Sequence, residues 1–169
     1  MLTTPEILTN SRFYVGLFLD GSQEPVDAFF RECKGFKYSQ EVVEIQEVAP
    51  QAWGAAEAKA KVGRLITTKL PGNLKLNNFT LTRSLTASQT IWSWIAAVQA
   101  GGWAQQRRNG FLVVYRNNAE EGARFVFENA WPASYKFSDV KAGGKDLAIE
   151  ELEIVCELFE RVELSNNEQ

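Results

Sequence analysis

Apolar and polar residues alternate with period two along most of the chain, the signature of strands with one buried and one wetted face. The cleanest case is Asn78–Ser84, where Phe79 and Leu81 alternate with Thr80 and Thr82. Arg12–Leu19 is β-rich and ends at the turn dipeptide Asp20-Gly21, and Val26–Cys33 and Lys37–Val48 read as two further strands, so the pattern predicts an opening β-meander. Arg64–Leu70 and Asn78–Ser84 flank Pro71-Gly72 as another strand pair. Phe111–Tyr115 and Ala123–Glu128 form a hairpin across Asn117-Asn118-Ala119-Glu120. The final strand, Leu147–Phe159, sets Leu152, Ile154, Cys156 and Leu158 on one face and Glu151, Glu153, Val155 and Glu157 on the other.

One stretch changes period. Thr86-Ala-Ser-Gln89 fits a capping box, and Ile91, Trp92, Ile95, Ala96 and Val98 recur at helical spacing until Gly101-Gly102. This predicts a single amphipathic helix packing Ile91, Trp92, Ile95 and Val98 on a sheet, with Trp94, about 200° from Trp92 at 100° per residue, pointing elsewhere, toward a neighbouring subunit. Two stretches break the strand pattern. Ala49–Gly63 carries Ala, Glu and Lys and no β-branched residue before Val62, which predicts a long loop or a short helix. Trp131-Pro132 puts a residue that cannot donate a ladder hydrogen bond into an otherwise strand-like run, so a bend is expected there.

Composition narrows the classes. At 169 residues with 45% hydrophobic and 23% charged positions, the chain suits one folded domain with a sizeable core. A net charge of −3 and a pI near 5.2 argue against a general nucleic-acid binder, and Arg107-Arg108 is too short for a phosphate-binding patch. The start, MLTTPEILTNSRF, lacks the cationic and apolar regions of a secretory signal, and the longest apolar stretch, Ile91–Val98, cannot cross a bilayer. Folding in the cytoplasm is therefore expected. Cys33 and Cys156 are too few for a disulfide scaffold and read as unpaired buried thiols.

No catalytic constellation emerges. Without histidine, Ser-His and Cys-His pairs and His-based metal sites are excluded, and two cysteines cannot build a zinc site. Glu150, Glu151, Glu153 and Glu157 leave carboxylate chemistry formally open, although acids alternating along a strand usually mark a solvated face. The glycine pair Gly143-Gly144 does not open a helix after a strand, as a phosphate loop would. Asn78-Phe79-Thr80 is a glycosylation triplet only in form. No metal, cofactor or enzymatic activity is expected.

Three blocks, "FRECKGFKYSQEVVEIQEV", "KLPGNLKLNNFTLTRSL" and "FENAWPASYKFSDVKAGGKDLAIEELEIVCELF", resemble in order those of the tail-tube proteins of contractile-tail phages and related contractile injection systems. The residues that carry the likeness are Gly35-Phe36, Glu41–Glu47, Lys69–Gly72, Asn78–Arg83, Asn129–Pro132, Asp139–Gly143 and Ala148–Leu152, and coverage runs from about Arg12 to Glu160. Val140 replaces a frequent leucine, and Val48–Gly63 is less family-like than its flanks.

The resemblance implies a mainly β, antiparallel, sandwich- or barrel-like domain over 11–162 with one packed helix, a short extension at 1–10 and a flexible tail at 163–169. It implies hexameric rings stacked into a hollow tube for DNA or protein cargo inside a contractile sheath, with baseplate and tube-terminator proteins as further partners. Strands would pair across subunits, and Trp131-Pro132 would stop one strand and redirect the chain. Stable nucleic-acid binding and membrane insertion are not implied. The Ala49–Gly63 loop, through Gln51, Trp53, Glu57, Lys59 and Lys61, would join successive rings. Glu151, Glu153 and Glu157 are expected to face the lumen, where acids let a phosphate backbone slide, with a solvated outer wall as the alternative. Assembly in a bacterial cytoplasm and a mature place in a phage tail or injection particle follow from the same likeness. A tube-initiating paralogue or type VI secretion tube protein is the alternative within the class. A monomeric ligand-binding β-barrel and a carboxylate hydrolase are the alternatives outside it.

Overall fold

The computed structural model describes residues 6–19, 29–53 and 60–164, with the side chains of 50–53 and 60–62 excepted. The chain forms two compact units, one of residues up to Lys37 together with Leu76 onward, the other of Tyr38–Lys75.

The first unit holds β1 (Phe13–Leu17), β2 (Glu32–Lys34), β5 (Phe79–Ser84), α1 (Thr90–Ala97), β6 (Arg108–Tyr115), β7 (Glu121–Phe137), β8 (Ile149–Val155) and β9 (Leu158–Val162). Its strands run in the order β1-β6-β7-β8-β5-β2, with β9 also on β7, and every pair is antiparallel. The sheet curls: β1 and β2, at opposite ends of that path, line one cavity through Phe13, Arg31 and Cys33. The early meander therefore pairs differently from expectation, β1 with β6 and β2 with β5. Of the expected Val26–Cys33 strand, 26–28 lie outside the described residues, as do 165–169 of the expected tail.

β7 is the hinge of the architecture. Residues 124–127 pair with both β6 and β9, whereas Trp131–Phe137 pair with β8. Trp131-Pro132 thus does not stop the strand. The chain passes from one half-sheet to the other through Asn129, at φ 54°, and a register shift between Pro132 and Ser134. A bulge is where a residue without a donor fits a ladder.

Between the half-sheets lies the core of Val15, Leu17, Phe79, Leu81, Phe127, Leu152, Ile154 and Phe159. Phe36 stacks on both Phe79 (4.2 Å) and Phe159 (4.0 Å). Gly35 makes that insertion possible: its φ is 99°, and a β-carbon would sit 2.8 Å from the Asn78 carbonyl oxygen.

The helix corrects the reading of the tryptophans. Ile91, Trp94 and Ile95 are buried and Val98 is half-buried against them, the i, i+3, i+4, i+7 stripe of one face. Trp94 is 4% exposed and its indole N–H donates to the Gln106 carbonyl (2.7 Å), whereas Trp92 is 54% exposed and lies edge-on to Tyr135. The stripe of positions 91, 94, 95 and 98 is centred close to Ile91, about 50° from Trp94 and about 110° from Trp92. The capping box is not realised: the helix starts after Gln89 without a side-chain cap, and a π-type turn over Val98–Gly102 carries its end to Gly101, at φ 94°.

The second unit is a ribbon of β3 (Tyr38–Trp53) and β4 (Ala60–Leu76). Gln40 reaches Gly72, Glu44 reaches Lys69 and Val48 faces Gly63, so the two strands run antiparallel. Two expectations fail here. Residues 49–53 and 60–63 are strand rather than loop or helix, and Glu57 and Lys59 lie outside the described residues. Pro71-Gly72 does not turn the chain, and β5 pairs with β2 and β8 rather than with β4. In a two-stranded ribbon both strands are edges, which is where a strand tolerates proline.

The expected last strand is two. β8 ends at Val155, and after Cys156-Glu157 the chain continues as β9 along the other half-sheet.

Candidate assembly surfaces

β2, β5, β8 and the second half of β7 form a four-stranded half-sheet whose cross-strand partners define its faces. One row is Glu32, Thr82, Glu151 and Lys136, and the next is Lys34, Thr80, Glu153 and Ser134. All eight side chains lie on the face away from Leu81, Leu152 and Ile154. Alternation thus places Glu151 and Glu153 on a polar face, as the sequence suggests, but shared with Lys34, Lys136 and hydroxyls. Asn78 donates to Glu153 (2.9 Å), and Glu32 pairs with Lys34 (3.5 Å). Glu157 is not in this row. It sits in the corner between β8 and β9, where it accepts from Arg107 (3.0 Å) and from Asn129 (2.8 Å) and so ties the turn after the helix to the β7 bend.

The other half-sheet presents a different outer face. Tyr14 and Phe18 pack on Phe111 at 5.8 and 5.7 Å, and the Arg124 guanidinium lies 4.7 Å over the same ring. Glu121 holds Arg124 by two hydrogen bonds, which lower the Glu121 pKa and raise that of Arg124.

Among the described residues the half-sheet of β2, β5, β8 and the second half of β7 has an open edge on each side: β2 pairs with β5 alone, and beyond Trp131 β7 has β8 on one side and no strand on the other. Such edges template pairing with another chain.

The ribbon is the second candidate surface. A β-carbon on Gly72 would meet Glu41 Cβ at 3.1 Å and Val43 Cγ2 at 3.2 Å. Glu41, Val43, Ile45 and Glu47 therefore share a face with Leu70, Ile66 and Arg64. The four apolar members of that face are exposed, and on the opposite face Val42, Val48 and Leu65 are exposed beside the Glu44–Lys69 ion pair (3.0 Å). A two-stranded ribbon with so much uncovered apolar surface is marginal without a further layer. Of the expected contact residues, Gln51 and Trp53 fall at the end of β3 and Lys61 near the start of β4.

Sequence reasoning missed one buried polar group. Arg83 and Glu150 are cross-strand partners on the core face and form an ion pair, and the Tyr135 hydroxyl donates to Glu150 (2.8 Å). Burial first, then that hydrogen bond, pushes Tyr135 up to about 12. Glu150 follows the same alternation as Leu152 and Ile154, and that parity was the available signal. Arg108, read in sequence as half of a short basic pair, donates to the Leu19 carbonyl (2.7 Å), the Gln105 carbonyl (2.8 Å) and Gln106 Oε1 (2.8 Å), so its donors serve the fold. Burial raises Cys33 to about 12, with Glu32 adding to it, and Cys156 to about 11, so neither thiol is poised for reaction. Among the described residues no three metal-ligating side chains converge, and no helix is long and apolar enough to cross a membrane.

Residues 9–160 match the family described as T4-like virus tail tube protein gp19. Solved structures share the fold. The tube-terminating cap of the anti-feeding prophage matches with a TM-score of 0.71 at 18% identity, over 96% of this chain and 95% of that one. The sheath–tube complex of the extracellular contractile injection system PVC, in its extended state, matches at 0.69 and 18% identity, over 94% and 93%. The sheath/tube terminator of the same system matches at 0.70 and 19%, over 95% and 100%. No curated protein sequence matches significantly. Since the family match spans β1 through most of β9, the chain belongs to the T4-like virus tail tube protein family.

Proposed function

We propose that the chain is the repeating subunit of a hollow tube, built as hexameric rings that stack inside a contractile sheath. The observation that carries this reading is the four-stranded half-sheet with an open edge on each side and a polar face opposite the core. Because β7, β8, β5 and β2 alternate in direction, the β2 edge of one copy meets the β7 edge of the next antiparallel. Six copies close this half-sheet on itself and leave neither of its edges open.

Closed this way, the wall puts its polar face toward the channel. Glu151 and Glu153 line the lumen with Glu32, and Lys34 and Lys136 leave an acid excess. Such a lining wets the bore without holding a phosphate backbone, which suits DNA or protein cargo. Glu157, held by Arg107 and Asn129, is assigned to the corner instead. Stacking belongs to the ribbon, whose end carries Gln51, Trp53 and Lys61, with Glu57 and Lys59 between its strands. A sheath protein, a baseplate and a terminator are the expected further partners, as the sheath–tube complex of a fold relative suggests. The protein has no chemistry of its own in this reading.

Electron microscopy of the purified protein tests it. Sixfold rings or tubes are expected, whereas a protein that stays monomeric at every concentration overturns the proposal.

A further inference from the structure

Most arginines of the first unit spend their guanidinium donors on the chain itself. Arg12 donates to the Asn117 carbonyl, Arg83 to Glu150, Arg107 to Glu157, Arg108 to the Leu19 carbonyl and Arg124 to Glu121. Arg116 and Arg161 differ. Among the described residues neither has an ion pair or a guanidinium hydrogen bond, and both line one cleft of about 560 Å³, on walls that include Ala123, Val162 and Leu164.

The fold holds both residues in place. Arg161 pairs across the ladder with Phe125, so it stands on the face that carries Phe125 and Phe127, and its guanidinium lies 5.9 Å over the Phe125 ring. Arg116 sits at the turn between β6 and β7, where its N–H donates to the Glu120 carbonyl (2.8 Å) and its own carbonyl accepts from Ala119 N–H (3.1 Å). Its stem packs on Gly122, where a β-carbon would lie 3.0 Å from Arg116 Cγ. The acids of this turn are already engaged: Glu6 accepts from Asn117 N–H (3.1 Å), Glu120 from Asn118 (2.8 Å) and Glu121 from Arg124 (2.9 Å). Glu163 is the one carboxylate in the cleft wall, against two guanidinium groups.

We infer that this cleft binds an acidic segment of another protein, with its carboxylates received by Arg116 and Arg161. The planar fork of an arginine matches a carboxylate with two parallel hydrogen bonds, and paired arginines are a recurrent means of reading acidic motifs. The volume lies within the range of about 300–1,000 Å³ typical of ligand clefts, and the apolar walls suit the aliphatic stems of glutamates. On a chain of net charge −3, the attraction is local to this cleft. None of its lining residues belongs to β2, β5, β8 or the second half of β7, so the ring seam proposed above does not use it, and the inference does not rest on the tube reading.

Fluorescence anisotropy of the full chain with a labelled octapeptide of alternating Glu and Thr tests the site, against the same peptide with Gln for Glu. The Gln peptide should bind at least about tenfold more weakly, and Arg161→Gln should cost the Glu peptide a similar factor, the scale of one lost charge-assisted hydrogen bond. Adding Arg116→Gln should abolish binding, whereas Glu163→Gln should tighten it. Lys136→Gln, an equal change of charge elsewhere, should leave it unchanged. Equal affinity for the two peptides, wild-type affinity in Arg161→Gln, or an equal loss in Lys136→Gln overturns the inference. Binding of inorganic phosphate without binding of the Glu peptide also overturns it, in favour of a small-anion site. Failure of the protein to form rings would count against the tube reading alone.

Discussion

Trp92 and Trp94 lie two positions apart on one helix and face different surroundings. Trp94 fills the core and donates its indole N–H, whereas Trp92 rests against the edge of Tyr135 with half its surface in solvent. Trp94→Ala should therefore cost roughly 3–5 kcal/mol, and Trp92→Ala less than about 1 kcal/mol, in denaturant unfolding. Equal losses would contradict the assignment. The pair Arg83–Glu150 has a different signature. Removing one partner strands a buried charge, so Arg83→Met should cost about 3–5 kcal/mol, and adding Glu150→Leu should recover much of that loss. A double variant as unstable as the single one would show that the pair contributes more than mutual neutralisation. Asn129 is the third case, a non-glycine residue at φ 54° that hands β7 from one half-sheet to the other. Asn129→Gly should be tolerated, and Asn129→Val should lose about 1–2 kcal/mol because a β-branched side chain resists that conformation.

At the scale of elements, what the sequence could show depended on whether a local pattern or a distant partner decided the outcome. Phe79–Ser84, the Phe111–Tyr115/Ala123–Glu128 hairpin and the alternation of Leu152 and Ile154 with Glu151 and Glu153 are local, and each stands in the structure. The ribbon was hidden for the opposite reason. Ala49, Ala52, Ala60 and Lys61, toward its far end, have weak strand propensity, and the pairing of β3 with β4 makes those residues extended. Pro71 likewise reads as a turn until the ribbon makes its strand an edge. β8 and β9 looked continuous because the alternation of Cys156 and Glu157 survives the corner, and only the change of partner, from β5 and β7 to β7 alone, reveals the break. Of the site, Glu151 and Glu153 were readable from parity. Their companions Glu32, Lys34 and Lys136 were not, since cross-strand rows depend on topology. Close approach adds a prediction. A β-carbon on Gly110 would lie 2.3 Å from Phe127 Cζ and 2.5 Å from the Gly16 carbonyl oxygen. Gly110→Ala should thus destabilise the β1–β6–β7 contact by about 1–3 kcal/mol, read as a lower melting temperature.

For the whole molecule, the raised acids set an alkaline limit. Cys33 and Cys156 rise from 9.0 to about 12 and about 11, and Tyr135 from 10.0 to about 12, in each case chiefly through burial. Between those values the unfolded chain has released protons that the folded one still holds, so stability falls as pH rises. It should be level from neutral pH to about pH 9 and decline progressively toward pH 12, with the Cys33→Ser variant declining less. A flat profile across that range would contradict the burial of these groups. In the assembly proposed above, the half-sheet that buries Leu81, Leu152 and Ile154 on one face would offer its polar face and its two edges to other copies. The most direct test is a cryo-EM reconstruction of the assembled protein. The account predicts sixfold rings in which β2 of one subunit pairs with the second half of β7 of the next, with Glu151 and Glu153 facing the channel; rings that place these two side chains on the outer wall, or that leave both edges unpaired, would contradict it.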